Sequence, residues 1–331
     1  MTEHDDMTDG SQTSPPPIPW RRVTGLLRPI WRGVAGMVAL SVTGVLIGLV
    51  PPLALGVLVN ALVERNDKPE ALLLAGLVAL AVVLEATAYI LSDGMYAQNA
   101  SRLYGNLRMQ MFAGAVRRSR RGQDTTGLAS RFISDAETIE RITMSLLDTG
   151  AMTLVEFVSA MVALGILEPW GVVAVLPLLA GTWIVTRRTQ EPAASAGHRR
   201  QEELELMTRA ISRELEHGDD PQASGRFRTA VERVMKAEVR YGWLQALNLQ
   251  GSGGLAKLGP IAVVVVAAFA GSHHAGTLVA LYLLAQRTFW GFDGMVDLSL
   301  GMHSVRGAVA RCFDLIDTPR ADQPESLRKA A

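Results

Sequence analysis

Six ionisable side chains stand inside otherwise apolar stretches of the chain: Glu85, Glu156, Lys257, Arg287, Asp293 and Asp297. An ionised group at the centre of a hydrocarbon layer costs about 2.5–3.5 kcal/mol on insertion scales, so each calls for a partner, a wet cavity or a ligand. Two chemistries are open. Glu85, Glu156, Arg287 and Asp293 could line a polar translocation cavity that takes a cationic or amphipathic cargo or carries protons. Alternatively they are interhelical ion pairs, with Asp297 and Lys257 snorkelling toward a polar boundary. Asp293 and Asp297 are four residues apart and share one helix face, where they repel unless a cation compensates. Arg287 falls roughly 80–120° away around an ideal helix of about 3.6 residues per turn. Its partner is therefore expected on another helix or across a dimer.

Other site chemistry is thin. No residue set resembles a nucleophile with its base. A phosphate-binding loop needs a Gly-Lys-Ser/Thr ending, whereas the four lysines Lys68, Lys236, Lys257 and Lys329 follow Asp67, Met235, Ala256 and Arg328. The 331 residues thus hold no such ATP site, and no cofactor or metal is expected on them. His273-His274 reads as a polar external turn or a weak metal or pH site. The lone Cys312 excludes an internal disulfide and reads as a small packed residue.

The elements that must hold these charges follow from segregation of the sequence. Net charge is zero with 32 basic and 32 acidic residues, which excludes a charge-driven nucleic-acid binder, so no nucleic-acid partner is expected. Charge-free runs cover Gly33–Val63, Pro169–Thr186 and Leu258–Gln286. About 20 apolar residues cross a ~30 Å hydrocarbon core, so we place spans near 33–60, 70–92, 146–167, 169–187, 251–271 and 276–299. Pro51-Pro52 should kink the first span, since proline removes a backbone donor. Joins at 64–69, 168–170 and 272–275 are short, whereas 93–145 and 188–250 are long. Of the basic residues, only Arg65 and Lys68 fall in the short joins, which predicts both termini and both long segments in the cytoplasm. Apolar residues recur at helical spacing through Leu103, Leu107, Met111 and Val116, and through Leu204, Met207, Ile211 and Leu215. The long segments are accordingly expected to be helical arms reaching about 30–40 Å below the bilayer. Residues 1–21, acidic and Pro/Ser-rich, read as a disordered cytoplasmic leader, and 320–331 as a tail.

Two motifs sharpen this. Thr126, Gly127, Leu128, Ser130, Arg131 and Asp135 stand in TGLASRFISD, and Gly276, Leu278, Val279 and Ala280 open the last apolar run. Arg311, Phe313, Leu315 and Asp317 follow at its exit. With the topology above, this pattern resembles the transmembrane domain of type IV ABC exporters over roughly residues 22–319. The resemblance implies an all-α fold of six membrane helices with long cytoplasmic extensions. It implies a permease moving a drug, lipid or peptide-like substrate, working as a homodimer or heterodimer. ATP and Mg would then be bound by a separate ABC ATPase subunit, as no nucleotide-binding domain is expected on this chain. The expected address is the bacterial cytoplasmic membrane. By position, the bends that would dock on the ATPase are Gly122–Leu128 and Glu214–Pro221, with Gly122, Thr126, Gly127, Leu128, Glu214, Gly218, Asp219 and Asp220 as the coupling residues. Both are rich in helix-breaking Gly, Asp and Pro. The chain departs from the family in carrying Arg117–Arg121 where aromatic residues are usual and Leu215–Gly218 where a Val-Lys-aromatic run is usual. The expectation is a more polar docking surface, one matched to an unusual partner, or two solvated bends with no partner. A different reading keeps the fold and changes the energy source. In a proton-driven peptide transporter, Glu85, Glu156 and Asp293 would carry protons. A non-transporting or truncated exporter relative is a third reading.

Overall fold

The computed structural model describes residues 20–122, 128–216, 223–271 and 274–317; the leader, the tail and the tips of both bends lie outside these. The described residues are almost all helical, with no strand among them: α1 Trp20–Leu27, α2 Trp31–Ile47, α3 Val50–Val63, α4 Lys68–Ser119, α5 Leu128–Leu167, α6 Pro169–Glu216, α7 Ala223–Ala270 and α8 Ala275–Ile316. The first apolar run is broken, as Pro51-Pro52 demands. The prolines occupy the first turn of α3, where a missing N–H costs nothing. Immediately before them, the ladder tightens to Leu49 N–H donating to Leu46 O at 3.2 Å.

Five stretches are long and apolar enough to cross a membrane: Trp31–Val63 and four contained in α4 to α7. The chain is an integral membrane protein. Its surface shows why, since Leu72, Ile166 and Phe269 are 77%, 79% and 88% exposed, a pattern suited to lipid. The sixth expected span lies in α8, which is not among the five. Gln286 and Arg287 interrupt its apolar run, and Asp293 and Asp297 follow. Among the described residues, the expected arms are helical on either side of the two expected bends. Residues 93–119 continue α4 for roughly 40 Å at about 1.5 Å per residue.

The chain divides into two compact units. One comprises residues 1–42, 87–151 and 297–331, the other 43–86 and 152–296. In the first, Leu107, Met111, Ala136, Ile139, Cys312 and Leu315 form a core, and Ile30, Val34, Met37, Leu103 and Met144 form another. Gly114 permits its tightest contact, because a Cβ there would lie 2.1 Å from Leu315 O. The second unit packs Leu164, Val175, Val263, Leu281, Leu284 and Phe289 together. Here Gly56 and Gly276 bring α3 and α8 into backbone contact, and Asn60 Oδ1 accepts the Gly276 N–H at 2.7 Å. The extensions of α6 and α7 pair along their length. Thr189 Oγ1 donates to Asn248 Oδ1 at 2.6 Å, Arg200 pairs with Glu238, and Tyr241 lies against Gly197.

Candidate translocation site and coupling bends

Within the second unit, three of the four sequence-predicted cavity residues meet. Arg287 Nη2 on α8 donates to Glu85 Oε1 on α4 at 2.9 Å, and Arg287 Nη1 lies 3.5 Å from Glu156 Oε1 on α5. All three side chains are no more than 16% exposed. The wheel argument is met: Arg287 finds its counter-ions on other helices, not among the aspartates of its own. One guanidinium facing two carboxylates leaves the group net negative when all are ionised, so it can accept a further positive charge.

The backbone beneath the triad is the broken stretch between α2 and α3. A Cβ on Gly48 would stand 2.2 Å from Glu85 Oε1 and 2.6 Å from Arg287 Nη1, so glycine leaves room for both charged tips against this backbone. The sequence reading missed Gly48. Its signal was a glycine three residues ahead of the proline pair, next to a membrane helix that must break.

Asp293 is placed elsewhere. It lines a cavity of about 380 Å³ between α7 and α8 with Lys257, Tyr282, Gln286, Phe289 and Trp290. Lys257 thus shares a cavity with the acid, which the snorkelling alternative did not foresee. At one turn in this unit, His274 Nδ1 and Glu64 Oε2 are 2.7 Å apart; His273 lies outside the described residues.

The first unit contains polar groups the sequence reading did not single out. Ser41 Oγ donates to Asp148 Oδ1 at 2.5 Å and lies 2.6 Å from Ser92 Oγ, which donates to Met37 O at 3.1 Å. Hydroxyls returning to the backbone and to a lone carboxylate are how apolar helices satisfy polar side chains. Toward the chain ends, Arg311 holds Asp135 with two hydrogen bonds, Nε to Oδ2 at 2.9 Å and Nη2 to Oδ1 at 2.6 Å. The two sequence motifs are thereby joined across 176 positions. The hydrogen bond to Asp135, outweighing burial, raises Arg311 above the usual arginine range. Nearby, Arg118 pairs with Asp314 at 2.9 Å, Arg117 donates to Ile316 O at 2.8 Å, and Arg22 pairs with Asp317. Burial, then the Asp135 charge, push the Cys312 thiol up to about 12.

Of the coupling residues, Gly122 is described in full. It closes α4 in the left-handed region at φ 66, with its N–H donating to Ser119 O and open space around its Cα. Leu128 is the first residue of α5, and Glu214 stands in the last turn of α6. Helices stop on either side of both expected bends, at Ser119 and Leu128 and at Glu216 and Ala223. Thr126, Gly127, Gly218, Asp219 and Asp220 lie outside the described residues.

Broken and overlong apolar helices, with internal ion pairs and paired extensions, suit a membrane-spanning scaffold. The sequence matches the ABC transporter transmembrane region over residues 34–207, just over half of the chain. The chain belongs to that family and has the all-α, type IV exporter kind of membrane domain. The match contains Glu85, Asp135 and Glu156, whereas Arg287 and Arg311 lie past its end. No curated protein matches the chain.

Proposed function

We propose that this membrane component of an ABC transporter is the permease of an exporter, pairing with a second membrane domain and driven by an ABC ATPase subunit. The observation that carries this reading is the continuity of α4 and α6 from apolar span into long extension, each helix ending where a bend is expected. A rigid rod transmits a displacement at its far end to the membrane-embedded half. Closure of ATP-loaded partner domains would draw Gly122–Leu128 and Glu214–Pro221 together and turn the Glu85–Arg287–Glu156 region outward. Both termini and all extensions are cytoplasmic in this scheme, and the cargo is a drug, lipid or peptide-like molecule. Nucleotide and Mg are bound by the partner, and this chain alone hydrolyses none.

A second reading has its own support. Two carboxylates sharing one guanidinium at membrane depth is an arrangement that can take up a proton. Proton-driven transport would then need no partner at the bends.

Reconstitution in vesicles separates the two. With the ATPase partner present, ATP should drive uptake into inside-out vesicles. Charge reversal at Asp219 and Asp220 should abolish uptake without loss of folded protein, which unchanged helicity and yield will check. Uptake energised by a pH gradient alone, silent to the bend changes and lost in Glu156→Gln, would establish the second reading instead.

A further inference from the structure

The extensions of α6 and α7 line an open groove of about 440 Å³ that the transport scheme leaves unused. Its charged lining comprises Arg199, Glu202 and Glu203 from α6 and Arg233, Lys236 and Arg240 from α7. Arg233, Lys236 and Arg240 stand at i, i+3 and i+7, which places them in one stripe of the helix. Four cations thus face two carboxylates. Glu203 lies 3.8 Å from Arg233, whereas Arg199, Lys236 and Arg240 make no ion pair among the described residues. The neighbouring faces show what a settled contact looks like here: Arg200 is paired with Glu238, and its guanidinium lies 5.4 Å from the Tyr241 ring centroid. Unpaired cations contributed by two helices to one hollow repel each other, and a bound anion removes that cost.

The geometry points to a binding site for a small, multiply charged phosphate compound between α6 and α7. Guanidinium and ammonium groups converging from two sides are suited to phosphate oxygens, and the volume lies within the range of small-ligand sites. Depth selects the source of the phosphate. Arg199 is 12 residues past the expected end of the α6 span, and Arg240 is 11 before the start of the α7 span. At about 1.5 Å per residue, both lie roughly 15 Å or more from the hydrocarbon edge. A headgroup layer is about 5–8 Å deep, so lipid phosphates do not reach the cavity. The ligand is therefore soluble. Bound there, it bridges the two helices and stiffens the pair. This assignment depends on the chain's membrane placement, and not on which energy source drives transport.

Titration calorimetry on the purified chain in zwitterionic nanodiscs, with sodium tripolyphosphate at fixed ionic strength, tests it. Saturable binding of one ligand per chain is expected. Lys236→Glu combined with Arg240→Glu should weaken it at least about tenfold, equivalent to about 1.4 kcal/mol. Arg228→Glu, a charge reversal on α7 outside the cavity, should leave it unchanged. Both positions of the double variant are exposed, and unchanged far-ultraviolet helicity will show that the variant is folded. Absence of saturable binding overturns the proposal, as does equal weakening by Arg228→Glu, which would mark an effect of net charge. Competition by phosphatidylglycerol added to the nanodiscs would assign the groove to lipid and refute the depth argument.

Discussion

The two units use the same chemistry, an arginine on a carboxylate, for opposite purposes. In the second unit Arg287 sits among apolar helices, and its two acids arrive from α4 and α5. In the first, Arg311 is half exposed, and only its partner Asp135 is buried. A charge held away from water has no alternative solvation, so removing its partner is costly and the cluster behaves as one unit. A charge at the surface can fall back on water, so Arg311–Asp135 acts as a clamp between chain-distant helices and contributes modestly. Position in the fold, not residue type, decides which arginine is a candidate for transport.

The largest expected effect breaks the buried cluster. Arg287→Met leaves Glu85 and Glu156 without a cation and should destabilise the protein by about 3–5 kcal/mol, read as lost folded yield and a lower melting temperature in detergent. Next comes packing in the first unit. Gly114→Val drives a side chain into the Leu315 carbonyl and should cost about 1–3 kcal/mol, since backbone, unlike a flexible side chain, cannot step aside. Arg311→Lys keeps the charge but forfeits the bidentate geometry. It should cost about 1 kcal/mol, and a cycle with Asp135→Asn should show that the two changes are not additive. The smallest effect is chemical. With its thiol raised to about 12, Cys312 is almost wholly protonated at pH 8, and alkylation follows the thiolate. Iodoacetamide should modify native protein slowly and urea-unfolded protein quickly; rapid native labelling would place Cys312 outside the core.

Much of this architecture is legible in the sequence because membrane solvation imposes simple rules. Charge-free runs mark much of the apolar sequence, and the spacing through Leu103, Leu107 and Met111 marks the packed face of an extension, where these three are at most 1% exposed. The proline pair at 51–52 gives the break. That Arg287 pairs off its own helix follows from angles on a wheel. The identity of its partners does not, because the two glutamates are 71 positions apart and only tertiary packing aligns them. Gly48 escapes notice for a related reason, as a glycine in an apolar run shows its purpose only once a guanidinium is found against it. The Arg233, Lys236, Arg240 stripe was readable from periodicity alone but looks like any solvated helix face until Arg199 is seen across the cavity. The last expected span is not among the five apolar stretches, since the polar residues of α8 lower its hydropathy.

The central claim is that Glu85, Arg287 and Glu156 form one coupled ionic group within the second unit, held together by the single guanidinium. Comparing the melting temperature of Arg287→Met with that of the triple variant Glu85→Gln, Glu156→Gln, Arg287→Met tests it most directly. Neutralising all three removes the stranded acids, so the triple variant should recover most of the stability lost by the single change while failing to transport. A triple variant as unstable as Arg287→Met, or an Arg287→Met protein as stable as the parent, would contradict the account.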